Sequence, residues 1–186
     1  MRIVGGDFRG VQITAPKGNA TRPTTDRLRE SLFNMLTHSF DDFSLENVRV
    51  LDLFAGSGAL SLEALSRGAA FALLVDRDAE ARGAQRENIE RLRLEGRTRL
   101  FRRDALKMGK GRNMGRFGLV FLDPPYGKGL AEKTLAVLHE GDWLEERALC
   151  VVEEEAKAEP KWPDEFVPID KRSHGGSQII FLHYKG

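Results

Sequence analysis

Cysteine is nearly absent from this chain: Cys150 is the only one in 186 residues, which rules out an internal disulfide and any cysteine-cluster metal site. It lies in the apolar run Ala148-Leu149-Cys150-Val151-Val152, so a buried core thiol is expected there rather than a nucleophile. No long apolar stretch follows the basic Arg2, so neither a secretory signal nor a membrane anchor is expected, and the expected compartment is the cytoplasm. Charge of one sign is also lacking. Twenty-nine basic residues face 28 acidic ones, too even a balance to attract a polyanion without specificity. The four histidines, His38, His139, His174 and His183, show no ligand spacing, and no metal is expected. Trp143 and Trp162 are assigned to packing, and there is no internal repeat or low-complexity stretch. What remains, 41% hydrophobic, 8% aromatic and 31% charged residues, describes one folded catalytic domain with small attachments.

Position within the chain says more than the totals. Up to Phe40, Arg2, Arg9, Lys17, Arg22, Arg27 and Arg29 stand against only Asp7, Asp26 and Glu30, an N-terminal excess suited to facing phosphate or, equally, to a solvated surface. Residues 2–4 and 11–14 favour β structure around Gly5, Gly6 and Gly10, which predicts a small hairpin or extended arm. Thr24, Thr25 and Asp26 offer caps for a helix whose Leu28, Leu32, Phe33 and Leu36 recur at helical spacing. Strand and helix then alternate: strands over 48–54, 70–75, 98–101 and 118–122, helices over 59–66 and 79–94. A helix near 132–139 follows, then strands near 148–152, 166–169 and 178–184, the last two joined by a hairpin turn over 173–177. Apolar strands alternating with helices imply a Rossmann-like α/β domain, mainly a parallel sheet with an antiparallel last strand.

Two sequence motifs carry chemistry. In Val50-Leu51-Asp52-Leu53-Phe54-Ala55-Gly56-Ser57-Gly58-Ala59-Leu60 a strand enters a glycine turn and then a helix, the place where such sheets bind ligands. A dinucleotide fingerprint needs a third glycine where Ser61 stands, and no Walker lysine is present. A carboxylate at Asp52 disfavours pyrophosphate and favours a cationic, amine-bearing ligand, which S-adenosylmethionine is. Asp76, ending the next strand, suits ribose hydroxyls, and Asp104, after the third, suits the adenine amino group; helix capping is the plainer role for each acid. The second motif is Asp123-Pro124-Pro125-Tyr126 after the fourth strand. An exocyclic base amine is a poor nucleophile because its lone pair is delocalised into the ring. Asp123 and the Pro124 carbonyl can accept its N–H bonds, the prolines stiffen the turn, and Tyr126 offers a face for a flipped-out base.

These two motifs, preceded by Arg22-Pro23-Thr24-Thr25-Asp26-Arg27-Leu28-Arg29-Glu30-Ser31-Leu32-Phe33-Asn34 and by Arg2-Ile3-Val4-Gly5-Gly6-Asp7-Phe8-Arg9-Gly10, closely resemble the RsmD-type 16S rRNA guanine-N2 methyltransferases. The resemblance runs from Arg2 into the C-terminal strands and is densest before Tyr126. It implies a class I methyltransferase fold of seven strands over residues 24–186, with residues 1–23 as an RNA-contacting β-hairpin extension. It implies methylation of one guanine in bacterial small-subunit rRNA, within a 30S subunit or assembly intermediate, by a monomer. The expected cofactor residues are Thr24, Asp52, Phe54, Ala55, Gly56, Ser57, Gly58, Asp76, Arg77, Asp104, Ala105 and Asp123. Arg2, Arg9, Arg22 and Arg27 are expected on RNA, and Asp123, Pro124 and Tyr126 at the target base. Two other readings fit the motifs, an adenine-N6 DNA methyltransferase and a non-catalytic RNA-binding assembly factor. Glu153-Glu154-Glu155 reads as a solvated strand end, and the basic segment 107–116 as an RNA contact or a mobile loop without function.

Overall fold

The computed structural model describes residues 1–16 and 25–186. The chain divides into two compact units, 1–102 and 103–186. In the first, three parallel strands lie in the order β3 (Thr98–Phe101), β2 (Phe71–Val75), β1 (Arg49–Leu53). Four of the five residues of β1 and of β2 are buried, as expected of strands covered on both faces. Helix α1 (Asp26–His38) begins where the Thr25 side chain accepts the Leu28 N–H and buries Leu28, Leu32, Phe33 and Leu36 on one face. Helix α2 (Ala59–Ser66) follows the glycine turn, and α3 (Ala79–Leu92) is capped by the Asp78 side chain.

The N-terminal arm is fastened to this unit rather than hanging from it. Its two segments meet at one antiparallel bridge, Arg2 to Gln12, so it is less regular than a full hairpin. The carboxylate of Glu63, buried in α2, accepts the Val4 and Gly5 N–H groups at 2.9 and 2.8 Å. The Asp7 N–H reaches the Ser66 carbonyl at 2.8 Å, satisfying a carbonyl that the end of a helix would otherwise leave open. A Cβ at Gly6 would lie 1.9 Å from that same oxygen, so only glycine allows the approach. Arg29, counted above as part of a basic face, is wholly buried and pairs with Asp26 at 2.8 Å and with Glu63 at 3.8 Å. Its charge therefore serves the arm's attachment and not a surface.

In the second unit β4 (Phe117–Leu122) pairs parallel with β5 (Leu144–Glu155), while β7 (Ser177–Tyr184) runs antiparallel to both β5 and β6 (Phe166–His174), in the order β4-β5-β7-β6. All six residues of β4 are buried. Helix α4 (Leu130–Glu140) buries Ala131, Thr134, Leu135 and Leu138. With both units counted, seven strands make up the mixed sheet of a Rossmann-like α/β protein. Strands β5 and β6 run well beyond the expected 148–152 and 166–169, because β7 pairs with β5 as far as Glu155 and with β6 as far as His174. Glu154 is consequently inside the sheet, 4% exposed, and not on a solvated end. The basic segment is pinned as well: the Gly111 N–H donates to the Gly141 carbonyl, the Lys110 ammonium to Glu140, and Arg116 pairs with Asp142 at 2.8 Å.

Candidate active site

After β1 the backbone takes left-handed conformations at Phe54, Gly56 and Gly58, which lets it double back within five residues. The turn is tied at every step. The Gly58 N–H donates to Ala55, the Ala55 N–H to Val75, and the Gly56 N–H to the Asp76 carboxylate at 2.9 Å. A Cβ at Gly58 would meet the Leu74 side chain at 2.6 Å, whereas one at Gly56 would meet nothing within 4 Å. Gly58 thus serves packing, and Gly56 faces open space that a ligand can enter. Ser57, Ala55 and Phe54 are half-buried around it, and Arg77 is exposed.

Two residues that sequence reasoning missed hold this turn from α3. The Gln85 amide donates to the Gly56 carbonyl at 2.9 Å, and the Asn88 amide to Ser57 at 3.1 Å. Asn88 also exchanges two bonds with Thr14, at 2.7 and 2.9 Å, so one side chain joins the N-terminal arm to the glycine turn. Both amides are fully buried, and Gln85 Oε1 has no hydrogen-bond partner. Their signal was available: they interrupt the stripe of Ala81, Ala84, Ile89 and Leu92 that α3 buries.

The acids separate by environment. Asp52 lies beneath the turn rather than at its mouth, 3% exposed, and accepts the Ser61 hydroxyl at 2.7 Å. Burial pushes its carboxyl up to about 7, opposed by hydrogen bonds from Ser61 and assisted by the charge of Asp76. Between its ordinary value and about 7 the folded chain keeps a proton that the unfolded chain releases, so this group's contribution to stability falls as pH rises through that interval. The full shift corresponds to about 4 kcal/mol. Asp52→Asn, which cannot ionise, is expected to melt above the parent at pH 8 and by a smaller margin at pH 5; a gap that does not change with pH would contradict the assignment. Asp76 receives the Gly56 and Asp78 N–H groups, each at 2.9 Å, one on each oxygen. Asp104 caps the short 3-10 turn Ala105–Lys107 by accepting the Leu106 N–H, and Ala105 is buried.

The second unit brings Asp123, Pro124 and Tyr126 together at the end of β4. Pro124 is buried and Asp123 half-buried, while Tyr126 is 39% exposed, with Val167 and Ile169 one of three exposed large hydrophobic residues among those described. Its hydroxyl donates to Glu153 at 2.9 Å. Burial and the charges of Glu153 and Asp123 push the phenol up, so it stays protonated and donating. Glu153 is the further residue that sequence reasoning missed here. Of the expected RNA contacts, Arg2, Arg9 and Arg27 are exposed in the first unit, Arg2 with Asp26 at 3.4 Å. Arg22 and Thr24, with the expected boundary after residue 23, lie outside the described residues.

A parallel run of strands with a glycine turn after β1, an acid closing β2 and a proline corner after β4 defines a Rossmann-like methyltransferase of class I. The comparisons agree. A family model described as "Conserved hypothetical protein 95" matches residues 1–183. Ribosomal RNA small subunit methyltransferase D of Escherichia coli is 40% identical over 157 residues, covering 84% of this chain and 76% of that one. Its Haemophilus influenzae namesake is 32% identical over 177 residues, covering 94% and 89%. A solved structure from Escherichia coli, provisionally described as a methyltransferase, yhhF, is 36% identical, with TM-score 0.86 over 100% of this chain and 98% of that one. The chain belongs to the RsmD-type methyltransferase family.

Proposed function

We propose that this protein transfers a methyl group from S-adenosylmethionine to the exocyclic N2 of a guanine in bacterial 16S rRNA. The observation that carries the reading is the corner at the end of β4, where an acid and a carbonyl stand beside an exposed aromatic ring held by a second carboxylate. The fit of the cofactor rests on the first unit: open space at Gly56, an acid at the end of β2, and the unpartnered Gln85 Oε1 behind the turn. Phe54, Ala55, Gly56, Ser57 and Gly58 would hold it, with Asp76 and Arg77 toward the ribose, Asp104 and Ala105 toward the adenine, and Thr24 and Asp123 completing the set. When bound, it supplies an electrophilic methyl on a sulfonium. Asp52, beneath the turn, gains a reason to ionise when a cation binds above it. Asp123 and the Pro124 carbonyl accept the N–H bonds of the target amine, which favours a lone pair on nitrogen. Tyr126 stacks on the base, and the amine's proton leaves to solvent once the new N–C bond has formed.

Arg2, Arg9, Arg22 and Arg27 would meet RNA phosphate, with residues 1–23 as the contacting extension of a methyltransferase domain over 24–186. The relatives' names favour rRNA as substrate; a 30S subunit or assembly intermediate, a monomer and the cytoplasm complete the proposal. The test uses labelled S-adenosylmethionine with small-subunit rRNA, the assembled subunit and duplex DNA. Label in rRNA or the subunit is the expected result. Label in DNA alone would support the adenine-N6 reading, and none anywhere the assembly factor.

A further inference from the structure

The corner at Asp123 is suited to any exocyclic amine, so it does not by itself distinguish guanine from adenine. The neighbouring strand supplies what it lacks. Leu122 and Val152 are registered partners in the parallel pair of β4 and β5. Asp123 and Glu153 each come one residue later, which puts them side by side at the carboxyl end of the parallel pair, a strand spacing of about 5 Å apart. The chain then turns through Pro124 and Pro125 and lays Tyr126 against Glu153, whose Oε1 accepts the hydrogen bond of the phenol at 2.9 Å. Glu153 is half-buried, and a carboxylate accepts through both oxygens, which leaves Oε2 for a second donor beside the exposed ring.

Guanine presents two donors in a row on its Watson–Crick edge, the N2 amine and N1–H. Adenine presents an amine beside an N1 lone pair. Two neighbouring carboxylates complement the first pattern and repel the second. Resting on the guanine reading above, we propose that Glu153 is a specificity-determining residue that accepts the N1–H of the target guanine while Asp123 takes the N2 amine. The electrostatic effect of both acids on the Tyr126 phenol agrees with their common position.

The discriminating substrate carries 2-aminopurine at the target position of the rRNA, because this base keeps the N2 amine and replaces N1–H with an acceptor. The parent should prefer guanine by about 100-fold or more in kcat/KM. Glu153→Gln, nearly isosteric and able to turn an N–H toward N1, should bring that preference within about 10-fold. Tyr126→Phe should slow both substrates and keep the preference. A parent that uses both bases equally overturns the assignment without any variant, and so does a Glu153→Gln protein that slows both by one factor. If the parent forms no N2-methylguanosine at all, the guanine reading itself fails and Glu153 falls with it, an outcome distinct from the others.

Discussion

Asp123→Ala leaves a folded protein whose methyl transfer to rRNA is slower than the parent's by about 100- to 1000-fold, the range seen when one preorganised polar group is removed from a reacting centre. The acid sits just past a strand whose six residues are all buried, so its backbone position survives truncation. In the proposed reaction what is lost is an acceptor for the target amine. The amine's lone pair then stays conjugated with the ring, and the methyl has no nucleophile in line. Asp123→Asn keeps one carbonyl acceptor and should fall between the two. Single-turnover transfer separates chemistry from binding, and a melt shows whether the fold holds. Transfer within tenfold of the parent would remove Asp123 from the reaction.

Glu63→Ala is expected to reduce folding stability by about 3–5 kcal/mol, because it takes a buried carboxylate from two backbone N–H groups and from the Arg67 guanidinium at once. Glu63 has no exposed side chain and meets four groups: the Val4 and Gly5 N–H, Arg67 at 2.8 Å and the buried Arg29 at 3.8 Å. Truncation leaves Arg29 with Asp26 and the Arg2 carbonyl only among these bonds, and unpairs two backbone donors. Residues 1–14 should then exchange their amide hydrogens faster than α2 does, since Glu63 and Ser66 are what tie the first turn of the arm. A loss under about 1 kcal/mol by denaturant unfolding would mean that the arm is held elsewhere. If the arm meets RNA as proposed, transfer to rRNA should fall as well, because the arm carries Arg2 and Arg9.

Much of the fold was legible because its elements obey one period each. Residues 59–66 and 98–101 are the observed bounds of α2 and β3, since the glycines at one end and the Asp104 cap at the other punctuate them. The strands whose length is set by a distant partner were harder to read. Glu153, Glu154 and Glu155 look like a solvated end by composition, and only the pairing of β5 with β7 carries them into the sheet. Arg29 was misplaced for the same reason: a basic residue on a helix, even with Asp26 three positions before it, reads as surface until the buried Glu63, 34 positions later in sequence, is seen beside it. Gly56, Asp76 and Asp123 lie at the turn and the strand ends where their own motifs put them. The candidate site was hidden where a residue acts on another motif. Asn88 joins Thr14 to Ser57, and Glu153 holds Tyr126, and nothing near either in sequence announces the partner.

Asp52 shows a third kind of difficulty. Its motif places it correctly at the glycine turn, yet its side chain points into the interior toward Ser61. Period-two alternation does not decide whether a strand-end acid meets ligand or helix. Its high carboxyl value makes it a sensor of whatever charge arrives above it. Cofactor affinity is therefore expected to rise with pH through about 7, the opposite sign to the stability effect.

The most direct measurement is mass spectrometry of nucleosides from small-subunit rRNA, taken from cells with the gene, without it, and with the Asp123→Ala form. N2-methylguanosine should fall by one residue per rRNA without the gene and stay below the parent level with Asp123→Ala. An unchanged level, or the loss of a methylated adenine instead, would contradict the assignment of the Asp123 corner to a guanine amine.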